Sequence, residues 1–280
     1  MVQAPLGAKG GQVNLGLAGK VAWVTGASAG LGYASALSLS REGAQVAISA
    51  RRESLLKQCA GEIEGATGNR CLAVPLEVGS AEDVELVGRR IAEELGPVDI
   101  LVSNGGGPPP GRIEDFSDDD VDSAFELLTA SAWRLTKAVL PDMRKRRSGS
   151  IIYVTSGAVA EPIENLSLST TMRAAVTAMA KNLSREAGVD GVRVLCVAPM
   201  WVETERVKSI DSADAKRTAR SPDEVRLERV AEIALKRYGR PEEFGDVVAF
   251  LASDRASFLT GITVAVDGGT LATDPFVESA

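Results

Sequence analysis

The chain has 280 residues, of which 45% are hydrophobic, so it is long enough for one large α/β domain with a sizeable core. Its net charge of −7 and the lack of a basic face argue against nucleic acid as a partner. The sequence contains no histidine, which excludes the commonest general base and any histidine-ligated metal site, and we predict no metal site.

The cysteines and the apolar segments indicate the compartment. Cys59, Cys71 and Cys196 are widely spaced, as is typical of reduced packing residues in an intracellular protein. Residues 1–17 have no apolar core of the signal-peptide kind, and no segment approaches the ~20 apolar residues that a membrane span requires. We therefore expect a cytoplasmic protein with no membrane partner.

The first predicted unit is a strand, a glycine-rich turn and a helix. Residues 21–24 form an apolar run, residues 25–32 read Thr-Gly-Ala-Ser-Ala-Gly-Leu-Gly, and residues 33–41 have a helical pattern. Glycines let the backbone approach an anion closely, and unpaired N–H groups at a helix start point toward it. The segment therefore predicts a nucleotide phosphate site.

Strands and helices alternate along the rest of the chain. The predicted strands are residues 45–49, 71–76, 99–102, 151–154, 192–197 and 263–266. The predicted helices are residues 53–64, 81–94, a helix capped by Ser117 that breaks and resumes through Leu140, 171–186 and 241–252. This alternation predicts an α/β fold of the Rossmann type: a doubly wound, mostly parallel seven-stranded sheet with helices on both faces.

We expect residues 1–16 to form an N-terminal tail and residues 17–280 a single dinucleotide-binding and catalytic domain. Residues 205–238 are a charged insertion beyond a strand end, where ligands bind in such sheets. We interpret this insertion as a mobile lid over the substrate, with a solvated helical excursion as the alternative. The loop Gly-Gly-Gly-Pro-Pro-Pro-Gly at residues 105–111 is either a wall of the substrate pocket or an ordinary rigid loop.

The chain resembles the short-chain dehydrogenases/reductases over roughly residues 17–271, because several signatures occur in the order of that family. The turn at residues 25–32 matches the family's Thr-Gly-x-x-x-Gly-x-Gly. Ser-Asn-Gly-Gly at residues 103–106 stands for Asn-Asn-Ala-Gly. Gly-Arg-Pro-Glu-Glu at residues 239–243 and Asp-Gly-Gly at residues 267–269 are similar to the C-terminal markers.

The charge pattern after the second predicted strand indicates which cofactor binds. In dinucleotide folds an acidic residue at this strand end binds the ribose 2′-OH of NAD, whereas a cationic residue accommodates the 2′-phosphate of NADP. Ala50 stands where the acid would be, and Arg51 and Arg52 follow it. We therefore predict NADP(H) as the cofactor.

The resemblance implies a set of cofactor-binding residues. Glu77 and Val78 would contact the adenine, Asn104 would help to hold the central ribose-phosphate region, and Thr204 would meet the nicotinamide carboxamide. The complete expected set is Gly26, Ser28, Gly30, Leu31, Gly32, Arg51, Arg52, Glu77, Val78, Asn104, Gly105, Arg173, Pro199 and Thr204.

The catalytic positions depart from the family. Its signature is a serine at a strand end, followed by Tyr-x-x-x-Lys at a helix start; Ser156 matches the serine, but Ser169 stands for the tyrosine and Arg173 for the lysine. An aliphatic hydroxyl is a far poorer acid than a phenol, and arginine keeps its proton at ordinary pH. We take Ser156, Ser169 and Arg173 as the catalytic candidates. Tyr153 and Tyr33 are interpreted as a packing residue and a helix-start residue.

Three further positions differ from the family. Leu128 and Leu195 stand where asparagines are frequent, and Met200 stands where glycine follows the proline, so that a bulky side chain would enter near the nicotinamide. We take these changes, together with Ser169, as clustered around one site.

Three functions are compatible with this pattern. The first is an NADP(H)-dependent oxidoreductase that acts on a small carbonyl or alcohol with a non-standard proton-transfer site. The second is an NADP-binding protein without reductase activity, such as a regulatory or partner subunit, and the third is a non-redox lyase. The resemblance also implies a homodimer or homotetramer that associates through the helices at about residues 123–140 and 171–186.

Overall fold

A seven-stranded parallel sheet forms the centre of the computed structural model, which describes residues 13–271. The strands lie in the order β3-β2-β1-β4-β5-β6-β7, and each neighbouring pair is parallel. Their bounds are β1 Val21–Thr25, β2 Gln45–Ala50, β3 Cys71–Pro75, β4 Ile100–Ser103, β5 Gly149–Val154, β6 Val192–Pro199 and β7 Thr263–Val266. The predicted Rossmann-type sheet is confirmed.

Helices cover both faces of the sheet, as predicted. They are α1 Gly30–Arg41, α2 Glu53–Thr67, α3 Ala81–Glu94, α4 Asp118–Ala124, α5 Ser131–Arg146, α6 Ser167–Gly188, α7 Glu205–Thr218, α8 Pro222–Glu232 and α9 Pro241–Ala252. One core cluster packs α1, α2 and α9 against the sheet, through residues such as Leu39, Ile63 and Phe244. The other packs α3, α5 and α6, through residues such as Ile91 and Leu135.

The strand order places a ligand crevice next to β1. Strand β1 pairs with β2 on one side and with β4 on the other, so the winding direction reverses there. In open α/β sheets, ligands bind outside the carboxyl ends of the strands at such a reversal. The glycine turn after β1 and the Asn104 segment after β4 both lie at this point.

The predicted break before Leu140 is wrong. Ser117 does cap α4, accepting a hydrogen bond from the Asp120 backbone, but the chain then stays helical from Asp118 through Arg146. A π-helical segment, Phe125–Ala130, joins α4 to α5. The wider π turn keeps the backbone hydrogen-bonded where the periodicity changes, so an irregular pattern does not require a chain break.

Helix α6 begins earlier than the expected residue 171. It starts at Ser167 without a side-chain cap, so no capping residue marks its start in the sequence. Its first turns are fixed by packing: Leu168 and Met172 form a small buried cluster with Leu128 of the π-helical segment. The earlier start places both Ser169 and Arg173 inside one helix.

The predicted insertion forms α7 and α8, which follow the carboxyl end of β6. Aromatic and charged contacts hold it to the sheet: Trp201 stacks on Tyr238 with ring centroids 6.3 Å apart, and the Arg229 guanidinium carbon lies 4.2 Å from the Trp201 ring centroid. Arg229 also forms ion pairs with Asp211 and Asp214. The insertion therefore contains a packed and ion-paired centre.

Of the expected tail, residues 1–12 lie outside the described residues. Leu15 already packs against the first core cluster, and its carbonyl accepts a hydrogen bond of 3.1 Å from the Asp254 backbone N–H. The three cysteines are free and buried, which confirms that they are unpaired packing residues.

Candidate active site

The glycine turn after β1 forms an uncapped helix start. Helix α1 begins at Gly30, and its N-cap residue, Ala29, provides no side-chain hydrogen bond; its first turn contains no acidic side chain. The first N–H groups of a helix have no partner within the helix, and the helix dipole makes this end electropositive. Gly26 and Gly30 have φ values of 60° and 56°, a region that favours glycine. The turn therefore ends in an electropositive helix start that has no side-chain cap.

Very close backbone packing fixes the shape of the turn. A Cβ added to Gly32 would lie 2.5 Å from the Gly26 carbonyl oxygen, and one added to Gly26 would lie 2.7 Å from the carbonyl oxygen and Nδ2 of Asn104. The Asn104 amide donates to the carbonyls of Thr25 and Gly26, each at 3.2 Å. The side-chain amide of Asn104 therefore holds the backbone of the turn. A residue larger than glycine at position 26 or 32 would collide with the neighbouring backbone.

The two arginines after β2 are exposed and differ in position. Arg52 lines the main cleft of the molecule, and its Nη2 lies 3.5 Å from the hydroxyl oxygen of Ser28 on the glycine turn. Arg51 does not line the cleft. The neighbouring carboxylate of Glu53 pairs with Lys57 at 2.7 Å, and no ion pair of Arg51 or Arg52 is found within residues 13–271. Arg52 is thus a guanidinium at the cleft that has no carboxylate partner among these residues.

One cleft of about 400 Å³ brings together most of the predicted site residues. They come from the glycine turn, the ends of β2, β4, β5 and β6, and the first turns of α6: Gly26, Gly30, Leu31, Arg52, Asn104, Gly105, Ser156, Ser169, Arg173, Pro199 and Thr204. The remaining predicted residues lie outside its wall: Ser28, Gly32, Arg51, Glu77 and Val78. Of these, Gly32 and Ser28 help to build the turn, Glu77 is exposed beyond β3, and Val78 borders a separate cavity of about 20 Å³ behind Arg173.

Arg173 connects three segments of the cleft wall. Its Nε donates to the Ser169 hydroxyl oxygen at 3.3 Å, its Nη1 to the Val154 carbonyl at 2.7 Å, and its Nη2 to the Gly106 carbonyl at 3.2 Å. These acceptors are neutral, so the guanidinium charge is not balanced by them. The Ser169 oxygen accepts from a cation, which leaves its own O–H free and makes it a stronger donor.

Burial lowers the pKa of Arg173 to about 10, and the nearby positive charge of Arg206 contributes in the same direction. The side chain therefore stays protonated at neutral pH. It can orient and stabilise oxygen atoms, but it does not exchange a proton there.

Ser156 follows β5 and caps a short 3₁₀ turn. Its oxygen accepts a hydrogen bond of 3.2 Å from the Ala158 backbone, so the O–H remains available to a ligand. Met200 lines the cleft beside it, and a Cβ on Gly157 would lie 2.9 Å from the Met200 Cε. The expected bulky side chain at this end of the cleft is confirmed.

No tyrosine lines this cleft. All three tyrosines of the chain are described, and burial raises the pKa of each. The Tyr153 hydroxyl is buried against Thr136, which confirms it as a packing residue, and Tyr238 donates to Asp211 at 3.3 Å. Tyr33 lies in α1 and packs partly against the core. A phenol proton donor is therefore absent from this cleft, and no lysine among residues 13–271 lines its wall.

Leu128 and Leu195, the two leucines at positions where the family frequently has asparagine, have different surroundings. Leu128 is buried beside the site: its Cδ2 would lie 3.4 Å from a Cβ on Gly105. Leu195 is fully buried in the core cluster of α1, α2 and α9 and does not line the cleft. Our expectation that Leu195 belongs to the altered site is wrong, because the alternation along β6 directs this residue into the hydrophobic core.

Arg206, in the first turn of α7, was not among the predicted site residues. This partly buried side chain lines the cleft and donates to the Pro108 carbonyl at 2.8 Å. Its guanidinium carbon lies 2.8 Å from the position of a Cβ on Gly107, and residues 105–107 of the loop line the cleft, whereas residues 108–111 do not. One feature of the sequence could have identified Arg206: a cation stands two residues after Thr204, in the first turn of a helix, where acidic residues are usual.

No described helix has the length and apolar character needed to cross a membrane. Within residues 13–271 there is also no cluster of three or more histidine, cysteine, aspartate or glutamate side chains arranged to hold a metal ion.

Comparison with known proteins identifies the class to which this fold and cleft belong. The family model described as enoyl-(acyl carrier protein) reductase matches residues 26–270. The chain belongs to the short-chain dehydrogenase/reductase family of oxidoreductases, as the order of the sequence signatures predicted.

Individual relatives are similar over most of their lengths. Oxidoreductase UcpA of Escherichia coli K12 is 36% identical over 260 residues, which cover 91% of this chain and 95% of the relative. Human dehydrogenase/reductase SDR family member 4 is 33% identical over 269 residues, covering 91% of this chain and 88% of the relative.

Solved structures agree with the fold. L-sorbose reductase from Gluconobacter frateurii, complexed with NADPH and L-sorbose, superimposes with a TM-score of 0.87 at 30% identity, over 93% of this chain and all (100%) of that one. Actinorhodin polyketide ketoreductase with NADPH gives a TM-score of 0.87 at 29% identity, over 91% and 98% of the two chains.

Proposed function

We propose that this protein is an NADP(H)-dependent oxidoreductase that interconverts a small carbonyl compound and its alcohol without a tyrosine proton donor. One observation carries the proposal: the anion-binding turn and the hydroxyl–guanidinium group of Ser156, Ser169 and Arg173 line the same cleft. The L-sorbose reductase and polyketide ketoreductase structures, both with NADPH, support it by analogy.

The residues of the cleft fit such a cofactor. Gly26, Gly30 and Leu31 would hold the pyrophosphate at the uncapped start of α1, and Arg52 would take the 2′-phosphate. Thr204 would meet the carboxamide and Arg173 the nicotinamide ribose. Bound NADPH supplies a hydride to the carbonyl carbon; the protein supplies position and electrostatics.

The protein groups act on the carbonyl oxygen. Ser156 donates its free O–H to this oxygen, and Arg173 stabilises the negative charge that develops there. The Ser169 hydroxyl, which accepts from Arg173, positions the water that delivers the proton. The proton comes from solvent because the cleft contains no phenol and no lysine.

Calorimetric titration with NADPH and NADH is the first test. We expect micromolar binding of NADPH and much weaker binding of NADH, because a guanidinium recognises the 2′-phosphate. If neither nucleotide binds, the oxidoreductase proposal is overturned.

Replacement of Arg173 tests the catalytic assignment. We expect Arg173→Ala to lower hydride transfer by about 100- to 1,000-fold, the usual effect of removing a group that stabilises a developing oxyanion. The control is Arg185→Ala, an exposed arginine near the other end of α6. Turnover at the wild-type level in Arg173→Ala would contradict the assignment.

A second candidate function is an NADP-binding protein without reductase activity. The apolar Leu128 beside the cleft and the absence of a phenol from it favour this alternative. A panel of ketones and enones with NADPH distinguishes the two functions, since robust turnover of any member eliminates the second.

We also propose self-association through the helical arm of α4 and α5. Phe125 of the π-helical segment and Trp133 of α5 are 46% and 58% exposed, so this arm presents two large aromatic side chains to solvent. Light scattering distinguishes a dimer from a tetramer; a monomeric protein would overturn this part of the proposal.

A further inference from the structure

The cleft has an unbalanced positive charge. Among residues 13–271, three guanidiniums line it, those of Arg52, Arg173 and Arg206, whereas the only lining carboxylate is Glu205. The Glu205 side chain is 84% exposed and pairs with Lys208 at 2.8 Å. Within the described residues none of the three guanidiniums forms an ion pair, so their charges require an anion from elsewhere.

The neighbouring arginine of the same insertion shows how the fold balances a buried cation. Arg229 of α8 is 8% exposed and forms ion pairs with two carboxylates, those of Asp211 and Asp214. Arg206 lies on the preceding helix, α7, and is partly buried, but its hydrogen-bond partner is the neutral backbone carbonyl of Pro108. Burying a charge without a counter-charge is costly. The cost is recovered if a ligand supplies the missing anion.

The cofactor does not account for Arg206. This step rests on the proposed function, in which Arg52 takes the 2′-phosphate, the glycine turn takes the pyrophosphate, and Arg173 holds ribose hydroxyls. The Arg206 guanidinium instead lies against Gly107 and Pro108, in the loop that walls the cleft beyond the cofactor turn.

Six apolar side chains also line the cleft, and several of them belong to one buried cluster: Ile163, Leu166, Met200, Trp201, Val207 and Ile210. A ligand that fits this surface has an apolar body and carries its charge at one point.

We propose that Arg206 binds a carboxylate of the substrate, so that the preferred substrates are oxo acids with an apolar aliphatic or aryl body. A guanidinium pairs with a carboxylate through two parallel hydrogen bonds, which fixes the orientation of the substrate as well as its charge. Arg206 is then a specificity residue, whereas Ser156 and Arg173 act at the carbonyl.

The test uses α-oxo and β-oxo acids, each paired with its own primary amide, which keeps the shape but removes the charge. With saturating NADPH we expect kcat/KM to be about 10- to 100-fold higher for each reactive acid than for its amide, as befits a charged hydrogen-bonded pair. In Arg206→Gln the preference should disappear through a raised KM, while the Kd of NADPH is unchanged. Arg206→Lys should retain part of the preference.

The matched control is Lys216→Gln, which removes an exposed cation from the last turn of the same helix, and Lys216 does not line the cleft. It should leave the acid-over-amide preference intact. If Arg206→Gln weakens NADPH binding and leaves the preference unchanged, Arg206 belongs to the cofactor site and the inference is overturned. It is also overturned if wild-type protein treats acids and amides alike.

Binding measurements separate this inference from the reductase proposal. The same acids and amides are titrated by calorimetry into the protein, with and without NADP⁺. If the acids bind better than the amides, lose this advantage in Arg206→Gln and are not reduced, then the reductase proposal fails and the carboxylate site stands. If neutral carbonyls are reduced but no acid is preferred in binding or turnover, the reductase proposal stands and the carboxylate site fails.

Discussion

The two sides of the cleft keep different amounts of the family pattern. On the side of β1 and α1 the glycine turn is complete, and each close backbone approach leaves no room for a larger residue. On the side of β5 and α6 the serine is kept, but Ser169 and Arg173 replace the tyrosine and the lysine. The glycine turn and the positions of the family's tyrosine and lysine have therefore changed independently in this chain. A bound nicotinamide cofactor needs a precisely shaped site, whereas the proton can come from a side chain or from water.

The largest expected effect concerns the glycine turn, on the side of the cleft that keeps the family pattern. Gly32→Ala places a Cβ 2.5 Å from the Gly26 carbonyl, so the turn must shift. We expect NADPH affinity to fall by at least about 100-fold, since several charge-assisted hydrogen bonds depend on the turn. Gly61→Ala in α2, where a Cβ meets nothing within 4 Å, is the control. Calorimetry measures both, and unchanged affinity in Gly32→Ala would remove the turn from the cofactor site.

The next effect separates the two arginines after β2. Arg52→Ala should weaken NADPH binding by about 10- to 100-fold and leave NADH binding unchanged, because one charged contact to a phosphate is lost. Arg51→Ala should have a smaller effect, because Arg51 does not line the cleft. Parallel titrations of NADPH and NADH give both ratios. Equal losses for the two nucleotides would show that Arg52 supports the turn and does not select the phosphate.

A third experiment restores the family pair on the altered side. In Ser169→Tyr with Arg173→Lys, a phenol and an ammonium return one helical turn apart. We expect kcat to rise by about tenfold, less than the roughly 100- to 10,000-fold that general acid catalysis contributes, because water already delivers the proton. Ser169→Phe with Arg173→Lys is the control for the added ring. A rise in both double variants would assign the effect to packing, and no rise in either would mean that the water path already suffices.

The smallest effect concerns pH. Burial lowers the pKa of Arg173, the residue that we propose stabilises the oxyanion, to about 10, so its guanidinium is charged below that pH and loses its proton above it. With no histidine in the chain, kcat/KM should vary less than about twofold between pH 6 and 9 and fall as the pH rises through the pKa of Arg173. A profile measured with saturating NADPH checks this. A bell-shaped curve centred near neutrality would require a titrating group that this account does not include.

Most of the fold could be predicted from the sequence because its signals are local. The apolar runs and helical periodicities gave helices 81–94 and 241–252 and strand 263–266 with the bounds that the structure shows. Ser117 marked the start of α4 because a cap acts within three residues. Other bounds differ from the prediction, among them the start of α1 and the end of α5. Two features that the sequence did not indicate, the π-helical passage Phe125–Ala130 and the uncapped start of α6, depend on packing between α4, α5 and α6.

The candidate site shows the same division. The sequence alone determined the glycine turn, the missing tyrosine and lysine, the lack of histidine and the cations after β2, since each of these is a matter of residue identity at a fixed spacing. Only the tertiary structure decided which of them share a cleft: it moved Leu195 into the core, placed Arg52 but not Arg51 at the cleft, and brought Arg206 from a distant helix to the loop at Pro108. The physical reason is that burial and charge balance depend on neighbours far away in the chain, which residue spacing does not encode.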